Sequence, residues 1–195
     1  VAHEDSLSYG LVKARIRVLS ARSPQEALDY YDLLRDSDDP ADRYGLALAL
    51  LGIGLNDTAG QVFRDLAEQH PGVIAFRIGQ AEALMADGLD DDAMAVYREA
   101  NALSPRNIPL VVSYGESLLT AGRPAEAHRV LLDLLNNVNP NPKQIELLAR
   151  AANAEGDTVN AHHYMAEYYS SVGNLRLAIG KLRAALATPG LNNVQ

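Results

Sequence analysis

Apolar positions recur along this chain with the period of an α-helix, in short segments separated by polar or Gly/Pro breaks. In residues 6–21, Leu7, Leu11, Ala14 and Val18 fall on one helical face. Ser23-Pro24-Gln25-Glu26 then reads as a capping box with proline at the first helical position. The helix it starts, to about Arg35, carries Ala27, Tyr31 and Leu34. Asp39-Pro40 opens a helix over 40–53, paired with one over 57–70. Further pairs follow at 73–87 with 90–103 and at 107–121 with 124–137. Asn141-Pro142 caps a helix to about Glu155, and Asp157 caps one over 158–171. A last helix over 174–187 is closed by Pro189-Gly190. The pattern predicts about eleven helices and no strand.

One phrase repeats through these pairs. A glycine is followed by an alanine five residues later and a large apolar residue four beyond that: Gly54…Ala59…Phe63, Gly88…Ala93…Tyr97, Gly122…Ala127…Leu131 and Gly156…Ala161…Met165. The step is 34 residues each time. A fixed 34-residue period in a helical sequence is the signature of the tetratricopeptide repeat. The glycine ends the first helix of a pair, where a left-handed residue is needed. The alanine sits where two helices cross too closely for a longer side chain. Pro71 and Pro105 close two repeats at the same step, and Pro140 comes one residue late. Arg22 stands where the first glycine should be, so the opening pair is a degenerate repeat. Near the end, Gly173 and Ala178 follow Gly156 and Ala161 by 17, half a period. The helix over 158–171 thus serves two repeats. The expected fold is all-α: a right-handed tetratricopeptide-repeat solenoid of antiparallel helix pairs. It is read as a single domain over 1–195, with a degenerate pair at 1–39, regular repeats at 40–157 and an overlapping terminal repeat at 158–195. The abrupt start and finish suggest a piece of a longer protein.

Composition narrows the function classes. Apolar residues make up 48%, enough for a packed core. The net charge of −8 disfavours nucleic acid and anionic membrane as partners, since both need clustered Lys and Arg. There is no cysteine, which excludes disulfides and thiolate metal sites. No apolar run is long enough to span a membrane, and the first residues show no signal-peptide pattern.

In a repeat array of this kind the first helices line a concave surface. The general pattern places Tyr44, Leu48, Ile78, Glu82, Val112, Glu116, Glu146 and Arg150 there as a partner-binding groove, apolar at first and acidic in the middle. The row of Lys, Asn and Arg that such repeats use to grip a C-terminal carboxylate is missing.

Candidates for chemistry are few. His3-Glu4 resembles the start of a zincin helix, but no histidine follows at the required spacing, so no metal pair is read. His163 and Glu167 lie one turn apart beside His162, yet no third ligand is in view. Asp90-Asp91-Asp92 stands where helix N-caps belong and lacks the spacing of a calcium loop. Tyr164, Tyr168 and Tyr169 share a helix, with packing expected of Tyr168. No nucleophile–base arrangement is legible, so this chain is not expected to be an enzyme. No catalytic residue, metal site or cofactor is expected in it.

Several stretches resemble one family more specifically. The opening Tyr9-Gly10-Leu11-Val12-Lys13-Ala14-Arg15-Ile16-Arg17-Val18-Leu19 is similar to the segment after the protease domain of BepA-type periplasmic zinc metalloproteases. The run from Asp39 to Ala49 resembles the first repeat helix of their C-terminal domain. The tail, Leu147 to Ala152, Ala161 to Tyr169 and then Gly173-Asn174-Leu175 with Ala178-Ile179 and Leu182, resembles the end of that domain, including the half-period overlap. The resemblance implies a periplasmic interaction domain of a metalloprotease and chaperone in outer-membrane protein quality control. Its zinc would lie in an upstream catalytic domain. Its partners would be the outer-membrane assembly machinery, unfolded outer-membrane proteins and its own protease domain, with no nucleic acid and no direct membrane insertion. The alternative is a free-standing scaffold of a multiprotein complex with no protease attached.

Overall fold

The computed structural model describes the backbone of residues 2–188 and the side chains of residues 7–188. Among the described residues there are eleven helices and no strand: α1 (Ala2–Ser20), α2 (Pro24–Asp32), α3 (Pro40–Gly52), α4 (Asn56–Gln69), α5 (Ile74–Ala86), α6 (Asp90–Leu103), α7 (Ile108–Thr120), α8 (Pro124–Leu135), α9 (Pro142–Glu155), α10 (Thr158–Ser171) and α11 (Leu175–Leu186). The expected closing pair Pro189-Gly190 and the side chains of His3 and Glu4 lie outside what is described.

The periodic glycines act as the spacing requires. Gly54, Gly88, Gly122, Gly156 and Gly173 all have positive φ, between 69° and 93°. At each, the next amide reaches back to the same carbonyl of the preceding helix. These bonds are Leu55 to Leu50, Leu89 to Leu84, Arg123 to Leu118, Asp157 to Ala152 and Asn174 to Tyr169, at 2.7–3.0 Å. This closure satisfies otherwise orphaned carbonyls and sets the direction of the next helix.

The caps expected at Asn141 and Asp157 hold, Asp39 caps the helix it opens, and Asn107 and Asn174 are caps as well; each accepts from a backbone amide two or three residues on. Asn141 makes a full capping box, its Oδ1 taking the Gln144 amide at 3.1 Å while Gln144 Oε1 takes the Asn141 amide at 2.9 Å. Removing that cap with Asn141→Ala should cost about 1 kcal/mol, read as a shift in the urea midpoint. The box at Ser23 is only half as expected. Ser23 Oγ accepts from the Glu26 amide, but the Glu26 carboxylate takes the amide of Arg22 at 2.8 Å rather than that of Ser23. Asp90, Asp91 and Asp92 fill the first turn of α6 rather than its cap. There the helix dipole favours negative charge.

The chain divides into two compact units, residues 1–100 and 101–195. In the first, α1 and α2 both pack on α3, α3 on α4 and α4 on α5. Its core is built from Tyr31, Tyr44, Phe63, Leu66 and Phe76 over buried alanines. Three helix-interior glycines make this possible. A Cβ on Gly10 would lie 2.8 Å from Ala41, one on Gly45 2.2 Å from the Tyr31 ring, and one on Gly79 2.5 Å from the Phe63 ring. The large residue closing one repeat therefore presses into a hole on the first helix of the next. In the second unit, α7 packs on α8, α8 on α9, α9 on α10 and α10 on α11. Leu131 is buried there against Gly115, where a Cβ would sit 2.8 Å away. Ala127, Ala161 and Ala178 are buried at the helix crossings assigned to them.

Candidate protein-binding surface

In the first unit the first helices α1, α3 and α5 lie side by side. Of the four residues assigned to their open face, two belong to the core instead. Tyr44 is 2% exposed and Ile78 7%. The Tyr44 ring packs against Phe63 and Phe76 at 5.9 and 5.7 Å between centroids. The expectation of an open apolar lining therefore fails at these positions. The ring is enclosed because Gly45 and Gly79 let neighbouring helices approach so closely. Only the Tyr44 hydroxyl keeps a polar partner, accepting from Arg15 Nη1 at 3.5 Å. Leu48 and Glu82 are half-buried, and Glu82 is near enough to act on the Tyr44 phenol. What this face offers is Arg15, Leu48 and Glu82: two opposite charges beside one aliphatic side chain.

In the second unit α7 touches α9. Val112 is half-buried, while Glu116, Glu146 and Arg150 are exposed. Six of the eight assigned residues are thus at least partly accessible, two of them on α3 and α5 in the first unit and four on α7 and α9 in the second. Glu146 and Arg150 stand four residues apart on α9, acid before base, a spacing that suits a helical ion pair.

A polar cluster that the sequence did not suggest joins α8, α9 and α10. His128 Nδ1 lies 2.7 Å from Glu155 Oε2, and its Nε2 lies 3.4 Å from the Tyr164 hydroxyl. The partners are 27 and 36 residues away, so no local spacing could have shown them. His163 and Glu167 do meet, at 3.3 Å, as their one-turn spacing implied. Packing falls to Tyr164, which is buried, whereas Tyr168 is half-buried with its ring edge-on to Tyr169. Among the described residues no group of three or more His, Cys, Asp or Glu could hold a metal ion. No described helix is long and apolar enough to cross a membrane. An open cleft of about 280 Å³ between α4, α5 and α6 is lined by Arg64, Glu68, Arg77 and Glu99, a mixed set with no preference for either sign of charge.

Burial pushes the phenols of Tyr31, Tyr44 and Tyr164 above the ordinary tyrosine range. At Tyr44, Arg15 partly offsets this and Glu82 adds to it; at Tyr164, Asp157 and Glu167 add to it. The unfolded phenols lose their protons near pH 10, the folded ones only higher. Above that pH the folded state holds more protons than the unfolded one, so stability falls as pH rises. Thermal melting followed from about pH 9 to 11 should show this fall, flattened in Tyr44→Phe.

Residues 84–151 match the family model described as tetratricopeptide repeat. The fold is that of a tetratricopeptide-repeat domain. It is similar to a thermophilic tetratricopeptide-repeat protein of Thermus thermophilus, with a TM-score of 0.67 at 21% identity over 93% of this chain and 100% of that one. A tetratricopeptide-repeat protein from Parabacteroides merdae gives 0.62 at 15% identity over 95% and 80%. A double mutant of MamA from strain RS-1 gives 0.56 at 16% over 94% and 98%. No curated protein matches the chain. Domains of this type are binding scaffolds for proteins or peptides rather than catalysts. The repeat surfaces of α1, α3, α5, α7 and α9 are where such binding would be sought.

Proposed function

We propose that this tetratricopeptide-repeat domain captures extended or helical polypeptide on its first-helix faces, as the interaction module of a periplasmic metalloprotease and chaperone. In this reading it serves outer-membrane protein quality control. The partners are the outer-membrane assembly machinery, unfolded outer-membrane proteins and the module's own protease domain. The zinc belongs to that upstream domain and not to this chain. The observation that carries the binding role is the set of accessible side chains on adjacent first helices. Leu48 and Glu82 lie in one unit, and Val112, Glu116, Glu146 and Arg150 in the other. The protease attachment is supported by the opening stretch from Tyr9 to Leu19, similar to the segment that follows the protease domain in that family. Tyr9, Val12, Ile16 and Leu19 on it are exposed, a stripe fit to meet a neighbouring body.

Glu82→Lys combined with Glu116→Lys should weaken co-purification of the assembly machinery from cells while leaving the helical circular dichroism unchanged. Capture that survives both reversals removes these faces from the contact. The gene upstream decides the attachment, since a His-Glu-x-x-His helix there is required by this reading. The second reading is a free-standing scaffold of a multiprotein complex with no protease attached.

A further inference from the structure

We propose that the outer face of α11 is a docking site for an acidic amphipathic helix of another protein. The argument begins with repeat register. Leu182 stands nine residues after Gly173, as Phe63 follows Gly54, Tyr97 follows Gly88 and Leu131 follows Gly122. Those three residues are 0% exposed, and Leu182 is 45% exposed. In the first unit the residue at this position is covered by the helix that follows, through Gly79 of α5 pressed on the Phe63 ring. Among the described residues no following helix covers Leu182 in this way.

It is also continuous. Leu175, Ile179, Leu182 and Leu186 are all exposed and recur at the spacing of a single helical stripe. Ala178 and Ala185, on the adjoining side of α11, are buried. An isolated exposed leucine means little, but a stripe of three turns is a place for another apolar surface. Helix-in-groove recognition uses such anchors.

Charge selects the occupant. At 100° per residue, Arg176 and Arg183 lie along the edge of the stripe away from the buried alanines, two turns apart. With Lys181 they make α11 wholly basic, without one Asp or Glu, in a chain of net charge −8. A partner helix that lays apolar residues on the stripe therefore brings carboxylates to Arg176 and Arg183. Like charge argues against a second copy. Its own α11 is equally basic, and the apolar stripe of α1 carries Lys13, Arg15 and Arg17.

The test uses the whole chain and two synthetic helix-forming peptides. Both carry leucines at i, i+4, i+7 and i+11. One has glutamates flanking the stripe and the other has lysines in their place. Fluorescence anisotropy should show the acidic peptide binding at least about tenfold more tightly than the basic one, with the gap closing at high salt. Arg176→Glu with Arg183→Glu should reverse the preference, and Leu182→Ala should weaken both peptides without altering the circular dichroism. The comparison of the two peptides on the unaltered chain needs no variant to fold. Equal binding of both peptides, or binding of neither, overturns the proposal. So does binding only to phosphatidylglycerol vesicles, which would make the face a lipid contact. A dimer in light scattering that Leu182→Asp splits would make the occupant a second copy and overturn it equally.

Discussion

Phe63→Ala is expected to lower stability by about 3–5 kcal/mol, the range for removing a fully buried aromatic ring. The ring is closed in on several sides. Gly79 presses on it from α5, Tyr44 meets it edge-on at 5.9 Å, and none of it reaches solvent. Neighbouring backbones belong to regular helices, so they relax little into the space left behind. The loss would consume a large part of the roughly 5–15 kcal/mol that holds a domain together. Urea unfolding followed by circular dichroism measures it. A change below about 1 kcal/mol would mean that the site collapses freely and that Phe63 does not pin α4 to α5.

Gly79→Ala should destabilise by about 1–3 kcal/mol, against the usual trend. In an exposed helix interior this substitution gains about 1 kcal/mol of helix propensity. Here the added Cβ would lie 2.5–2.7 Å from three ring carbons of Phe63. The ring is fully buried and can move aside only by displacing its neighbours, so overpacking outweighs propensity. The sign alone distinguishes the two effects. Gly79→Ala joined to Phe63→Leu should cost less than the sum of the single changes, because the smaller side chain frees the space the methyl needs. Strict additivity would show that the two residues do not touch.

The exposure of the candidate residues was legible only in part. Glu116, Glu146 and Arg150 are exposed, and Leu48, Glu82 and Val112 are half-buried. Tyr44 and Ile78 are not on the surface, because helix position gives the direction of a side chain but not what stands in front of it. The tripartite contact of His128 with Glu155 and Tyr164 had no local signal at all. The face of α11 lay between these cases. Its apolar positions were plain in the sequence, but their exposure was not.

By itself the sequence determined the helical class, the helix count and the turns, because each rests on local chemistry. A 34-residue glycine step demands left-handed turns, and four of them occur where it places them, with a fifth at Gly173, half a step on. Helix ends fell within a residue or two of expectation for most elements, and Ala127 and Ala161 are buried as their positions required. Only the tertiary structure decided how closely the helices approach. The holes at Gly45, Gly79 and Gly115 are places where a bare helix backbone receives Tyr31, Phe63 and Leu131 from another helix. They depend on the volume left once two helices have met, and that volume is a property of the packed pair rather than of either strand of sequence.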